Sequence, residues 1–114
     1  MRKIRAYKKY FEDFMSSLST AERDKVTRAL ALFKVEDKIP SHYIKFLKDE
    51  IYEFRVTCAN IEIRLLFIYD GKDIVILFNC FKKKTQKTPN SEINKAIKLK
   101  QEYYETKRNT KGPL

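Results

Sequence analysis

The stretch Ile51-Tyr52-Glu53-Phe54-Arg55-Val56-Thr57-Cys58-Ala59-Asn60-Ile61-Glu62-Ile63-Arg64-Leu65-Leu66-Phe67-Ile68-Tyr69 decides the fold. Residues alternate strictly on either side of Ala59-Asn60: Tyr52, Phe54, Val56 and Cys58 share one face, Glu53, Arg55 and Thr57 the other. Ile61, Ile63, Leu65, Phe67 and Tyr69 repeat the apolar face, with Glu62 and Arg64 opposite. Period-two alternation on both sides of a turn pair predicts an antiparallel hairpin. Closure at Ala59-Asn60 sets Arg55 directly across from Arg64. Opposed like charges cost a sheet a few tenths to about 1 kcal/mol. A bound phosphate is the compensation that guanidinium chemistry suggests, because the planar fork matches phosphate oxygens. The competing reading pairs the two arginines with Glu53 and Glu62 in surface salt bridges, which need no function.

Downstream, Asp73 to Phe81 is almost continuously apolar through Ile74-Val75-Ile76-Leu77-Phe78, as in a strand covered on both faces. A two-residue turn at Asp70-Gly71 puts Arg64 opposite Leu77 and makes Leu77, Asn79, Phe81 and Lys83 share the arginine face. The chemistry then changes to Lys82-Lys83-Lys84-Thr85-Gln86-Lys87-Thr88-Pro89. A last helix follows, capped by Asn90 or Ser91 and running over roughly 91–107, with Ile93, Ala96, Ile97, Leu99 and Tyr103 or Tyr104 for packing. The tail 109–114 is expected to fray.

Upstream, Tyr7, Tyr10, Phe11, Phe14, Met15 and Leu18 have the spacing of one buried helix face. Ser19-Thr20-Ala21-Glu22 is a capping box for a second helix to about Lys34, burying Val26, Ala29, Leu30 and Phe33. Together they read as a helical hairpin. Residues 2–6 suit either a short strand or the approach to the first helix. Pro40 closes the hairpin, and 41–50 reads as a linker with at most one helical turn.

At 114 residues the chain fits one domain, 1–114. No apolar run approaches the roughly 20 residues that span a bilayer, and the N-terminus lacks the apolar core of a secretory signal. A cytoplasmic protein is expected. Two glycines exclude a Gly-rich phosphate loop; one histidine and two cysteines exclude a zinc site built of His and Cys alone. No cofactor or metal is expected, and Cys58 and Cys80 read as ordinary buried thiols. The formal net charge is +10, and between Lys82 and Lys100 seven lysines stand against one acid. Scattered lysines on a helix are a solvated face, which accounts for Lys95, Lys98 and Lys100. The run emerging from a central strand points instead to a polyanionic partner.

The ordered segments Ile51-Tyr52-Glu53-Phe54-Arg55, Ile63-Arg64-Leu65-Leu66-Phe67 and Phe81-Lys82-Lys83-Lys84-Thr85-Gln86-Lys87-Thr88-Pro89, followed by Glu92-Ile93-Asn94-Lys95-Ala96, resemble the RelE/ParE toxin superfamily and within it the HigB-like, phage-derived branch. Cys80 stands where that family usually has glycine. The resemblance implies an α+β fold: a helical hairpin packed on a twisted antiparallel sheet of three to four strands, plus a C-terminal helix. It also implies an endoribonuclease that cleaves mRNA on the ribosome, and a helix-turn-helix antitoxin as partner. The expected catalytic residues are Arg55 and Arg64 on the phosphate and Lys83 as base, with Lys84 or Lys48 next. Phe81 is expected to stack on a base or to fill the core, and Lys48, Lys82, Lys84 and Lys87 to bind nucleic acid. Two other readings stand beside this one, a ParE-like gyrase poison and a non-catalytic nucleic-acid-binding module.

Overall fold

The computed structural model describes residues 1–83 and 87–110. Five strands form one mixed sheet in the order β1-β5-β4-β3-β2, where β1 is Lys3–Ala6, β2 Ile44–Lys48, β3 Ile51–Cys58, β4 Ile61–Tyr69 and β5 Ile74–Lys83. The helices are α1 (Tyr10–Ser16), α2 (Thr20–Val35) and α3 (Asn90–Thr110), with a 3-10 turn at Ser41–Tyr43.

The sheet therefore has more strands than the three to four expected, and it is not purely antiparallel. Both additions lie where hydrophobic periodicity is weakest. Lys3–Ala6 pairs parallel with β5, Lys3 beside Ile74 and Ala6 beside Leu77. Arg2 holds this strand in place, donating from Nη1 to the carbonyls of Phe33 (2.8 Å) and Glu36 and from Nη2 to that of Asp37 (3.1 Å). The second addition, β2, occupies the expected linker and pairs with β3 from Ile44↔Phe54 to Lys48↔Ile51. Its Phe46 and both lysines are exposed, so no alternation marked it as a strand.

α1 begins at Tyr10 rather than Tyr7, because Lys8 adopts a positive φ of 57° and breaks the helical path. α2 starts as the capping box dictates. Ser19 Oγ accepts from Glu22 N–H (3.2 Å), while Glu22 Oε1 accepts from Ser19 N–H (2.9 Å).

Each face of the sheet carries its own core. On the α1/α2 side, Leu18, Val26 and Phe33 pack against Phe54, Val56, Ile63, Leu65, Phe67, Val75 and Leu77. Phe33 stacks on Phe54 with centroids 5.1 Å apart and meets Phe67 edge-on at 5.5 Å. On the other side Ala96 and Leu99 of α3 cover Ile51, Leu66, Ile68, Ile76 and Phe78.

The β4–β5 register corrects the two-residue turn. Tyr69 pairs with Val75, which leaves five residues, 70–74, between the paired positions; that odd number puts Leu77 opposite Phe67 on the α1/α2 face. A bulge between Leu65 and Phe67 then shifts the pairing once more, placing Phe81 across from Arg64 and Lys83 across from Glu62. The odd loop and the bulge each reverse the alternation. Their effects cancel by the end of β5, so Phe81 and Lys83 reach the arginine face while Leu77 does not.

Candidate functional site

The hairpin register is the one the sequence predicts, with Arg55 directly opposite Arg64. Their side chains lie on the sheet face covered farther along by α3. Between them sits Glu53, whose side chain is completely buried. Its Oε1 accepts from Arg55 Nε at 3.0 Å and lies 3.5 Å from Arg64 Nε. Its Oε2 accepts a hydrogen bond from the hydroxyl of Thr88, itself buried just before α3. One carboxylate thus neutralises the repulsion of the pair and tethers the segment that leads into α3. The salt-bridge reading of the sequence is correct about the partners but not about the setting. A buried carboxylate between two guanidinium groups is far from a solvent-screened surface pair.

Arg64 is only 5% exposed. Its Nη1 donates to the Ile63 carbonyl at 3.0 Å and its Nη2 to Glu62 Oε1 at 3.3 Å. The buried Nε makes no hydrogen bond among the described residues. Glu62 also accepts from Thr57 Oγ1, the residue opposite it on β3. The Thr57 hydroxyl first, and then Arg64, hold the Glu62 carboxyl below its ordinary pKa against the opposing effect of burial. Arg55 is more open, with its side chain about a third exposed at 30%.

Lys83 lies across from Glu62 on the same face and is partly buried. Burial pushes its pKa below the ordinary 10.5, and Arg64, Arg55 and Lys45 push it further down; Glu53 acts against them. Phe81, opposite Arg64, is half-buried and packs against the α3-side core. The structure therefore brings Arg55, Arg64, Lys83 and Phe81 together at one end of a single sheet face.

The other sequence candidates scatter. Lys82 faces the opposite side and pairs with Glu22 of α2 at 3.3 Å. Lys48 is exposed at the end of β2, where it pairs with Ile51. Lys87 is exposed just beyond the strand, and Lys84 lies outside the described residues. Cys58 and Cys80 are free thiols, and burial raises Cys80 to about 12. His42 rests on Tyr43, ring centroids 4.3 Å apart.

A cleft of 630 Å³ opens beside the arginines. It exists because β2 pairs with β3 only as far as Phe54, leaving the outer edge of Arg55, Val56 and Thr57 uncovered. One wall is this edge with Glu62 and Arg64; the other is Lys25, Arg28, Ala29 and Leu32 of α2, closed at the end by His42 and Tyr43. Sequence reading passed over Thr88, Lys25 and Arg28. The signal for the last two was available: residues 25, 28, 29 and 32 form a helical stripe beside the buried one, and that stripe is part cationic.

A family model described as "Phage derived protein Gp49-like (DUF891)" matches residues 13–101. No curated protein matches. Among solved structures, the fold is similar to a chain in the crystal structure of the archaeal RelE-RelB complex from Pyrococcus horikoshii OT3. The TM-score is 0.50 with 8% identity, over 75% of this chain and 98% of that one. At such identity the likeness concerns the α+β fold alone.

Proposed function

Because the chain belongs to the phage-derived Gp49-like family, a RelE/HigB-type toxin family, we propose that it is the toxin of a type II toxin-antitoxin module. On this reading it acts in the cytoplasm as a metal-independent endoribonuclease that cuts mRNA on the ribosome, and a helix-turn-helix antitoxin holds it in check. The observation that carries the proposal is the convergence of Arg55, Arg64 and Lys83 on one face, with Lys83 partly buried among cations.

RNA holds its own nucleophile. When the 2′-oxygen attacks the adjacent phosphorus, a new O–P bond forms, the bond to the 5′-oxygen breaks, and charge builds on the equatorial phosphate oxygens. The protein has to place the backbone in line, stabilise that charge and accept the 2′ proton, while the departing 5′-oxygen takes a proton from solvent. Arg55, the more open of the pair, contacts the phosphate directly; Arg64, fixed by Glu53, Glu62 and the Ile63 carbonyl, is a rigid guanidinium beside it that holds the site in shape. Lys83, whose neutral form is favoured by its surroundings, accepts the proton. Phe81 stacks on a neighbouring base. Lys48, Lys84 and Lys87 are assigned to the RNA backbone, and Lys82, Lys95 and Lys98 to contacts with ribosomal RNA.

The test is primer extension on transcripts after induction. Cleavage within codons by the wild type, and its loss in a folded Arg64→Ala variant, is the expected result. Intact transcripts with a DNA-damage response indicate a gyrase poison, and a folded Arg64→Ala variant that still cleaves removes the arginine pair from the mechanism.

A further inference from the structure

The cleft beside β3 has no part in the chemistry just described, yet Arg55 and Arg64 belong to its wall. It is therefore continuous with the reacting centre around the free edge of the sheet. Its lining carries Lys25, Arg28, Arg55 and Arg64 against the single carboxylate of Glu62, and Glu62 is already engaged by Thr57 and Arg64. Lys25 and Arg28 are exposed and make no ion pair among the described residues. The floor between them is apolar, formed by Ala29, Leu32 and Val56, and His42 offers an exposed ring at the end. Cations around an apolar floor with an accessible ring suit a nucleotide, whose phosphate needs charge and whose base needs a flat surface. The volume falls in the range of sites that take a ligand of that size.

Resting on the ribonuclease reading above, we propose that this cleft is a subsite for single-stranded RNA. The strand passes from the arginine face over the uncovered edge of Arg55–Thr57. The next phosphate lies against Lys25 and Arg28, and the attached base lies against His42. The continuity with Arg55 and Arg64 favours RNA over an acidic protein segment, since an occupant of the cleft extends directly onto the phosphate-binding pair.

The probe is a short fluorescent oligonucleotide of uniformly 2′-O-methyl RNA, which binds but cannot be cut because its nucleophile is blocked. Anisotropy titrations across a salt series compare the wild type with Lys25→Ala/Arg28→Ala, with His42→Ala and His42→Phe, and with Lys34→Ala/Lys72→Ala as a charge-matched control. Circular dichroism checks that each variant is folded. The cleft double variant is expected to bind about tenfold more weakly and to flatten the slope of log K against log salt by about 1.4, the loss of two single-strand phosphate contacts. His42→Ala is expected to weaken binding and His42→Phe to retain it, while the control double variant follows the cleft variant in neither affinity nor slope.

Unchanged affinity and slope in Lys25→Ala/Arg28→Ala, with Arg64→Ala still weakened, overturns the subsite and leaves the ribonuclease reading standing. A wild type that binds no RNA at all overturns both. Retained RNA binding with loss of antitoxin binding in the cleft double variant assigns the groove to a protein segment and also overturns the subsite.

Discussion

Thr88 donates a hydrogen bond to Glu53 across 35 residues of chain, and both side chains are buried. Through this bond the approach to α3 is fastened to the same carboxylate that holds Arg55 and Arg64. Removing one member of a buried ionic cluster leaves the others uncompensated, at a cost of about 3–5 kcal/mol. Urea unfolding of Glu53→Ala is expected to show a loss of that size. Thr88→Val, which leaves one buried carboxylate oxygen unpaired, is expected to lose about 1–3 kcal/mol. Wild-type stability in Glu53→Ala counts against the tether.

The depressed pKa of Lys83 fixes the direction of two pH effects. If Lys83 is the general base proposed above, it works only when neutral, and cleavage should rise with pH up to its lowered pKa and then level off. In Lys83→Met the rise should vanish, with a rate loss of about 10²–10⁴-fold. Folding responds in the same direction. The unfolded chain holds this proton up to 10.5, the folded chain gives it up earlier, and stability therefore increases with pH between the two values. A cleavage profile that keeps its slope in Lys83→Met assigns the base elsewhere.

Glu22 predicts an effect at the acid end. The Ser19 backbone N–H first, and then Lys82, hold its carboxyl below 4.5. Its stabilising contribution is complete above the unfolded pKa and is lost as pH falls through the lowered folded value. Acid titration followed by circular dichroism should find that Glu22→Gln is less stable than wild type at neutral pH and that the two converge in acid. Ser19→Ala removes the other half of the capping box and should cost about 1 kcal/mol by denaturant titration.

Phe33 has no solvent exposure and joins α2 to β3 and β4 through Phe54 and Phe67. Phe33→Ala is expected to destabilise by about 3–5 kcal/mol in thermal or urea unfolding. A loss below 1 kcal/mol means that the surrounding rings refill the space.

Alternation was enough to read β3, β4 and the confrontation of Arg55 with Arg64, because a buried face specifies register strongly. It could not read β1 or β2, whose residues are largely exposed and whose strand identity comes from pairing rather than pattern. The position of Leu77 went astray for a similar reason: Asp70-Gly71 announces a turn but not its length. Phe81 and Lys83 were placed on the correct face through two departures that offset each other, neither visible in the residues. The burial of Glu53 was equally hidden, since its partners Arg64 and Thr88 are distant in sequence and a charged residue in a strand ordinarily faces water.

The parallel seat of Lys3–Ala6 on β5 also governs when the molecule can become whole. The first strand to leave the ribosome has its docking partner in the last, and that last strand also carries Lys83. A nascent chain that has already delivered Arg55 and Arg64 still lacks both Lys83 and the rail on which Lys3–Ala6 settles. Pairing of Lys3–Ala6 and the arrival of Lys83 on the arginine face both wait for β5.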